Sequence, residues 1–207
     1  MNNNNCDHDL QHFECEAMAC AWEFFIAGET YEYSHQAAWA AFEEVRRLEY
    51  ELSRFVSSSD VTRIRCAAPG EEIPIGIAAM DCLRLAQQVH RDTKGAFDVT
   101  LGNLLEERRD ESGLIAAPDV SSTRFASRMS ALQLNEEANC VRVLQSDVHL
   151  DFGAIGKGYA LDESAKTLRE WSIENALLHC GQSTFLALGE AKNSPWRIAL
   201  RNPLDET

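Results

Sequence analysis

Apolar positions along the chain fall into short alternating runs and two helical stripes. Residues 18–27, Met-Ala-Cys-Ala-Trp-Glu-Phe-Phe-Ile-Ala, are apolar and aromatic up to Gly28, which predicts a strand. Over 34–55, Ala41, Val45, Leu48, Leu52 and Phe55 recur at four- and three-residue steps, the spacing of one apolar helix face. Ser34 is its expected N-cap, and Glu43, Glu44, Arg47 and Glu51 form a solvated opposite face. Ser57-Ser58-Ser59-Asp60 reads as a turn or a new N-cap. Ile73, Ile75 and Ile77 alternate as a short strand. A second helix is predicted over 77–93, with Ala79, Leu83 and Ala86 on one side and Gly95 closing it. Residues 106–122 are charged and loop-like, and a short helix is expected near 123–130. Leu132 and Leu134, then Val141–Leu144, flank a turn as a hairpin. Asn175–Cys180, Thr184–Leu188 and Trp196–Leu200 read as further strands.

One stretch organises the rest. In 148–162, Val148, Leu150 and Phe152 alternate with His149 and Asp151 as a strand does. Gly153, Gly156 and Gly158 follow, and Leu161, Ala165 and Leu168 then recur at helical spacing. Strand, glycine-rich turn, helix leaves unpaired N–H groups at a helix N-terminus, where the dipole favours an anion. Lys157, placed in the turn, adds a positive charge. The spacing fits neither a P-loop nor Gly-x-Gly-x-x-Gly. By itself it does not separate an anion cradle from a turn whose glycines serve packing alone. Ala96-Phe97-Asp98 sits just past the second helix, where it could line a ligand site. A buried Phe and an Asp capping the next turn is the simpler reading of those residues.

Composition narrows the function classes. The chain has 207 residues and a net charge of −14, with twelve acidic against three basic side chains in residues 1–60. That argues against nucleic acid or an anionic membrane as partner. Seven scattered cysteines form no Cys-x-x-Cys pair and suit a reducing compartment. No apolar h-region, lipoprotein-anchor stretch or membrane-spanning run is apparent, so a cytoplasmic location is expected. Residues 1–14 are polar and expected to be disordered, leaving 15–207 as a single domain. His8 and His12 would share a face on a helix and could bind a metal, against the plainer reading of a polar tail.

Five segments, taken in order, resemble the ApbE-like flavin transferases (FAD:protein FMN transferases). They are Met18-Ala19-Cys20-Ala21-Trp22, Leu52-Ser53-Arg54-Phe55 with Ser59–Arg63, Gly95–Thr100, Leu150–Asp162, and Pro195-Trp196-Arg197 with Pro203. The third and fourth together are specific. The resemblance implies an α+β fold of layered sheet and helices. It implies FAD as substrate, Mg²⁺, cleavage of the FAD diphosphate with release of AMP, and transfer of FMN to a threonine of an acceptor flavoprotein. Carried over by position, Met18, Phe55, Ala96, Phe97, Asp98, Asp151 and Lys157 match flavin-contacting residues, and Ala154 matches a position whose carbonyl ligates the metal.

Departures from the pattern are Phe55 where the family usually has Tyr, Arg65 where an Asn usually stands, and Gln182 in place of the second glycine of a pair. The family's C-terminal segment, with an Asp and a Thr of the metal site and a His near the chemistry, is also missing, so a C-terminally truncated domain is expected. A catalytically inactive flavin-binding module or remnant is the alternative that this truncation implies.

Overall fold

The computed structural model describes residues 10–102, 127–181, 183–191 and 194–199. In chain order its elements are β1 (Gln11–Ala17), β2 (Cys20–Ala27), α1 (Tyr31–Leu52), α2 (Asp60–Cys66), β3 (Glu72–Pro74), α3 (Ile77–Asp92), β4 (Leu132–Asn135), β5 (Cys140–Val143), α4 (Gly156–Glu170), β6 (Asn175–Cys180) and β7 (Thr184–Leu188). A 3-10 turn at Met129–Ala131 leads into β4. The chain divides into two compact units, one of Met1–Val45 with Ala160–Thr207 and one of Arg46–Tyr159.

The first unit is built on an antiparallel sheet in the order β1-β2-β6-β7. Trp22, Phe24 and Ile26 are fully buried while Ala21, Glu23 and Phe25 alternate with them on the other face. Phe24 stacks on Phe42 of α1 with ring centroids 4.4 Å apart. Trp22 satisfies its indole N–H on the Ala17 carbonyl at 3.0 Å, so a large ring is buried without an orphaned donor. Leu161, Ala165 and Leu168 of α4 are buried as their spacing predicts.

The second unit holds a three-stranded sheet in the order β3-β5-β4 with α2 and α3. The predicted hairpin is there, Leu132 pairing with Val143 and Asn135 with Cys140. Ser59 is the N-cap of α2, its hydroxyl accepting the Thr62 N–H at 3.1 Å. Asp60, next in the chain and buried, accepts the Gly76 N–H at 2.7 Å and pairs with Arg63 at 2.8 Å. A Cβ on Gly76 would lie 3.2 Å from both Asp60 Oδ2 and Glu51 Oε2, a tight approach where α3 begins.

Several expectations are corrected. β1 starts at Gln11, inside the stretch expected to be disordered, and pairs with β2 from Gln11↔Ile26 to Ala17↔Cys20. Glu14 and Glu16 on its outer side hid the alternation of Phe13 and Ala17 within. His12 is thus on a strand and not a helix, stacked on Phe25 at 4.4 Å and bonded to Glu23 at 3.0 Å, while His8, its expected metal-binding partner, lies outside the described residues. Helix α1 begins at Tyr31. Thr30 caps it by accepting the Tyr33 N–H at 3.4 Å, and Ser34 is buried inside the helix. The helix ends at Leu52, so Phe55 leaves the stripe and is 76% exposed. Residues 148–152 alternate in burial but make one isolated bridge and no strand. Trp196–Ile198 is not a strand; Trp196 hydrogen-bonds the Leu188 carbonyl through its indole at 2.9 Å. The loop expected at 106–122 and most of the helix near 123–130 lie outside the described residues. The described cysteines form no disulfide with one another, and none of the described helices is long and apolar enough to cross a membrane.

Val45 and Leu48 are fully buried, as the stripe requires. Leu48→Ala is expected to cost about 2–5 kcal/mol in a denaturant titration, through lost transfer energy and a cavity. Ser59→Ala should cost about 1 kcal/mol in the same titration by removing the α2 cap. An unchanged midpoint for either variant would contradict the packing or the cap it tests.

Candidate functional site

Within the second unit, the segment after α3 is laid along the residues that lead into α4. Asp151 N–H donates to the Val99 carbonyl and Gly102 N–H to the His149 carbonyl, each at 2.8 Å, around a parallel bridge between Leu101 and His149. A Cβ on Gly102 would stand 2.8 Å from the His149 oxygen, so this approach needs a glycine. Val148, Leu150 and Phe152 point into the core, leaving His149 and Asp151 on the more open side.

The chain then turns into α4. Asp151 Oδ1 accepts the Gly153 N–H at 2.7 Å, a local carboxylate turn of the kind Asp favours. A Cβ at Gly153 would sit 2.9 Å from that oxygen. Ile155 and Gly156 both donate to the Phe152 carbonyl, at 3.0 and 2.7 Å, and the helix starts at Gly156. Lys157 is therefore the second residue of α4 and not a turn residue. Among the described residues, the amides of Ala154, Lys157 and Gly158 have no acceptor, and no carboxylate lies within 4.0 Å of Lys157 Nζ. The first turn of α4 holds no acidic side chain. A Cβ on Gly158 would meet nothing within 4 Å, so the protein's own packing does not require that glycine. The first turn thus combines unbonded donors, the positive end of the helix dipole and one cation in open space, an arrangement suited to an anionic group. Gly156 has neither a positive φ nor a close contact, its Cβ position being 3.7 Å from Phe152. A backbone clash demands glycine at Gly102, and a Cβ at Gly153 would displace the Asp151 carboxylate.

Arg54 ties two of the sequence-predicted residues together. Its Nε lies 3.5 Å from Asp151 Oδ2, its Nη1 donates to the Gly102 carbonyl at 3.3 Å, and its guanidinium carbon is 4.7 Å from the centre of the Phe55 ring. Its side chain is 10% exposed, against 76% for Phe55. A narrow crevice beside it is lined by Val61, Thr62, Arg65, Gly102, His149 and Leu150.

Ala96, Phe97 and Asp98 follow the turn that ends α3. Gly95, at φ +86°, donates to the His90 carbonyl at 2.8 Å. Ala96 is exposed and Phe97 half-buried. His90 donates through Nδ1 to the Phe97 carbonyl at 2.7 Å, and Phe97 N–H reaches the Thr93 hydroxyl at 3.0 Å. Asp98 Oδ1 accepts both the N–H and the hydroxyl of Thr100, at 2.8 and 2.6 Å, which is the turn-capping role. Its other oxygen is buried with no hydrogen bond and lies 3.8 Å from His90 Nδ1. A buried carboxylate oxygen left open is costly unless a ligand group meets it.

Met18 belongs to the first unit. With Ala19 it forms the two-residue turn between β1 and β2, at φ +49° and +58°. That is the left-handed geometry usually given to Asn-Gly, here carried by two residues with side chains. Of the predicted set, Phe55, Ala96, Phe97, Asp98, Asp151, Ala154 and Lys157 all fall in the second unit. Arg54 and His90 were missed as site residues. Arg54 lay inside a motif segment but carried no spacing signal, and His90 reads as one more polar residue near a helix end.

Comparison with known proteins bears on what this arrangement is. The model of the ApbE family matches residues 18–207. Two curated FAD:protein FMN transferases of Klebsiella pneumoniae (strain 342) are 26% identical over 163 residues and 28% identical over 176 residues. They cover 74% and 83% of this chain, and this chain covers 46% and 54% of their lengths. It thus spans about half the length of these curated relatives. The solved flavin transferase ApbE from Vibrio cholerae superposes with a TM-score of 0.80 at 21% identity, covering 94% of this chain and 64% of its own. The α+β architecture is shared, and the family match extends over nearly the whole sequence: the chain belongs to the ApbE family.

Proposed function

We propose that this chain binds FAD and carries the flavin-holding part of a FAD:protein FMN transferase. In that reaction the FAD diphosphate is cleaved, AMP leaves, and FMN passes to a threonine hydroxyl of an acceptor flavoprotein. The observation that carries the reading is the open first turn of α4. Lys157, with no carboxylate within 4.0 Å among the described residues, stands at a helix end with three unbonded amides and room beside Gly158. On a chain of net charge −14, such a spot is a local exception suited to a diphosphate. The names of the relatives support the reaction class.

In this reading Lys157 and the α4 amides bind phosphate oxygens. Phe55 and Phe97 offer apolar surface to the ring system, and the open oxygen of Asp98 accepts a ligand N–H or O–H. Asp151 takes the place the resemblance gives it beside the flavin, its carboxylate fixed by Gly153 and Arg54. Mg²⁺ belongs to the proposal through the resemblance. Its effect when bound would be to offset charge on the phosphates. Among the described residues, the Ala154 carbonyl makes no hydrogen bond and could supply one oxygen, but no group of three His, Cys, Asp or Glu side chains could hold the ion. These residues do not by themselves make a Mg²⁺ site. Residues 15–207 acting as one domain, and a reducing, cytoplasmic setting suited to the scattered cysteines, are parts of the same proposal.

Lys157→Met removes one charge-assisted contact, worth about 1.5–3 kcal/mol, so FAD affinity should fall roughly 10- to 150-fold while the melting temperature holds. Calorimetric titration of FAD into wild type and variant, with and without Mg²⁺, measures this, and an AMP-release assay on the same samples tests turnover. Equal affinities would remove the diphosphate from this helix end. Binding without AMP release would leave a flavin-binding module.

A further inference from the structure

Phe55 and Asp151 lie far apart in sequence, yet one side chain touches both. We propose that Arg54 is a positioning residue of the site: it holds the Phe55 ring as a platform for a planar ligand ring and fixes Asp151 beside it. The proposal rests on the flavin reading above. Among the described residues, the guanidinium meets Asp151 Oδ2 at 3.5 Å, the Gly102 carbonyl at 3.3 Å and the Phe55 ring at 4.7 Å. It is 10% exposed, so water competes little for these contacts. The ring it backs is 76% exposed. A bare phenyl group in water is a standing cost that a stacked ligand removes. A cation on one face directs that stacking to the rest of the ring. Gly102 and Asp151 are also the residues through which the two site segments meet, so Arg54 braces that junction as well.

Only a planar fork serves all three contacts at once. A lysine could place charge near the ring or near Asp151 but would lack the paired N–H groups. Asp151 is correspondingly divided, with Oδ1 on the Gly153 amide and Oδ2 on Arg54. Loss of Arg54 should therefore act on ligand affinity through Phe55.

The test is titration of FAD into the full chain as wild type, Arg54→Ala, Arg54→Lys, Phe55→Leu and the double variant Arg54→Ala/Phe55→Leu, with thermal melts of each. Arg54→Ala is expected to weaken affinity about 3- to 30-fold, the range of a partly desolvated cation–ring contact. Arg54→Lys should recover part of the loss. The double variant should fall short of the product of the two single effects, because both act on the same ring. Wild-type affinity in Arg54→Ala, or a double variant equal to the product, overturns the proposal. If Arg54→Ala does not fold, Arg54→Lys carries the test, and affinity equal to wild type overturns the proposal. If wild type does not bind FAD, the flavin reading falls, and the platform is judged by NMR. The Arg54 side-chain protons should carry a ring-current shift that Phe55→Leu abolishes, and its absence overturns the contact itself.

Discussion

Two backbone hydrogen bonds, Asp151 N–H to Val99 and Gly102 N–H to His149, fix what the rest of the candidate site depends on. They lay the segment after α3 along the residues that enter α4. Asp98 and Asp151 are thereby set on adjoining stretches of backbone, and Arg54 can reach Gly102 and Asp151 together. The contact tolerates no side chain at Gly102, where a Cβ would stand 2.8 Å from a carbonyl oxygen. The glycine is there because two backbones touch, which is a tertiary reason and leaves no local signature.

Charge follows the same geometry. The chain is strongly acidic, yet the first turn of α4 holds no acid, and Lys157 stands at its positive end. Two carboxylates of the candidate site are each engaged: Asp151 by an amide and a guanidinium, Asp98 by both donors of Thr100 on one oxygen. The remaining Asp98 oxygen is buried and, among the described residues, makes no hydrogen bond. Local rules are broken close to the residues that the resemblance marks. Met18 and Ala19 take left-handed turn positions without glycine, and Phe55 exposes a full ring. Exceptions of this kind tend to gather at functional sites.

Much of this was legible in the sequence. The α1 stripe of Ala41, Val45, Leu48 and Leu52 gave the buried face correctly, because periodicity reports burial directly. It overran at Phe55, since an apolar residue in register past the last turn looks the same whether it is buried or offered to a ligand. Ser34 was mistaken for the cap because Thr30, the true one, precedes two tyrosines that do not look helical. β1 was lost because its acidic outer face resembled a polar tail. Residues 148–152 alternate as a strand does, but ladder pairing depends on a partner that alternation does not specify. Most of the candidate site residues were named from motif order, and seven of the eight fall in one compact unit. Arg54 and His90 act through carbonyls, a ring and a carboxylate brought near by the fold, and sequence spacing carries no trace of those contacts.

The central claim is that the first turn of α4 receives the phosphates of a flavin nucleotide. Amide NMR during an FAD titration tests it most directly. The backbone resonances of Ala154, Lys157 and Gly158 are expected to move first and furthest, and AMP alone to move them in the same direction by less. Shifts that leave these three amides in place while others respond would contradict it.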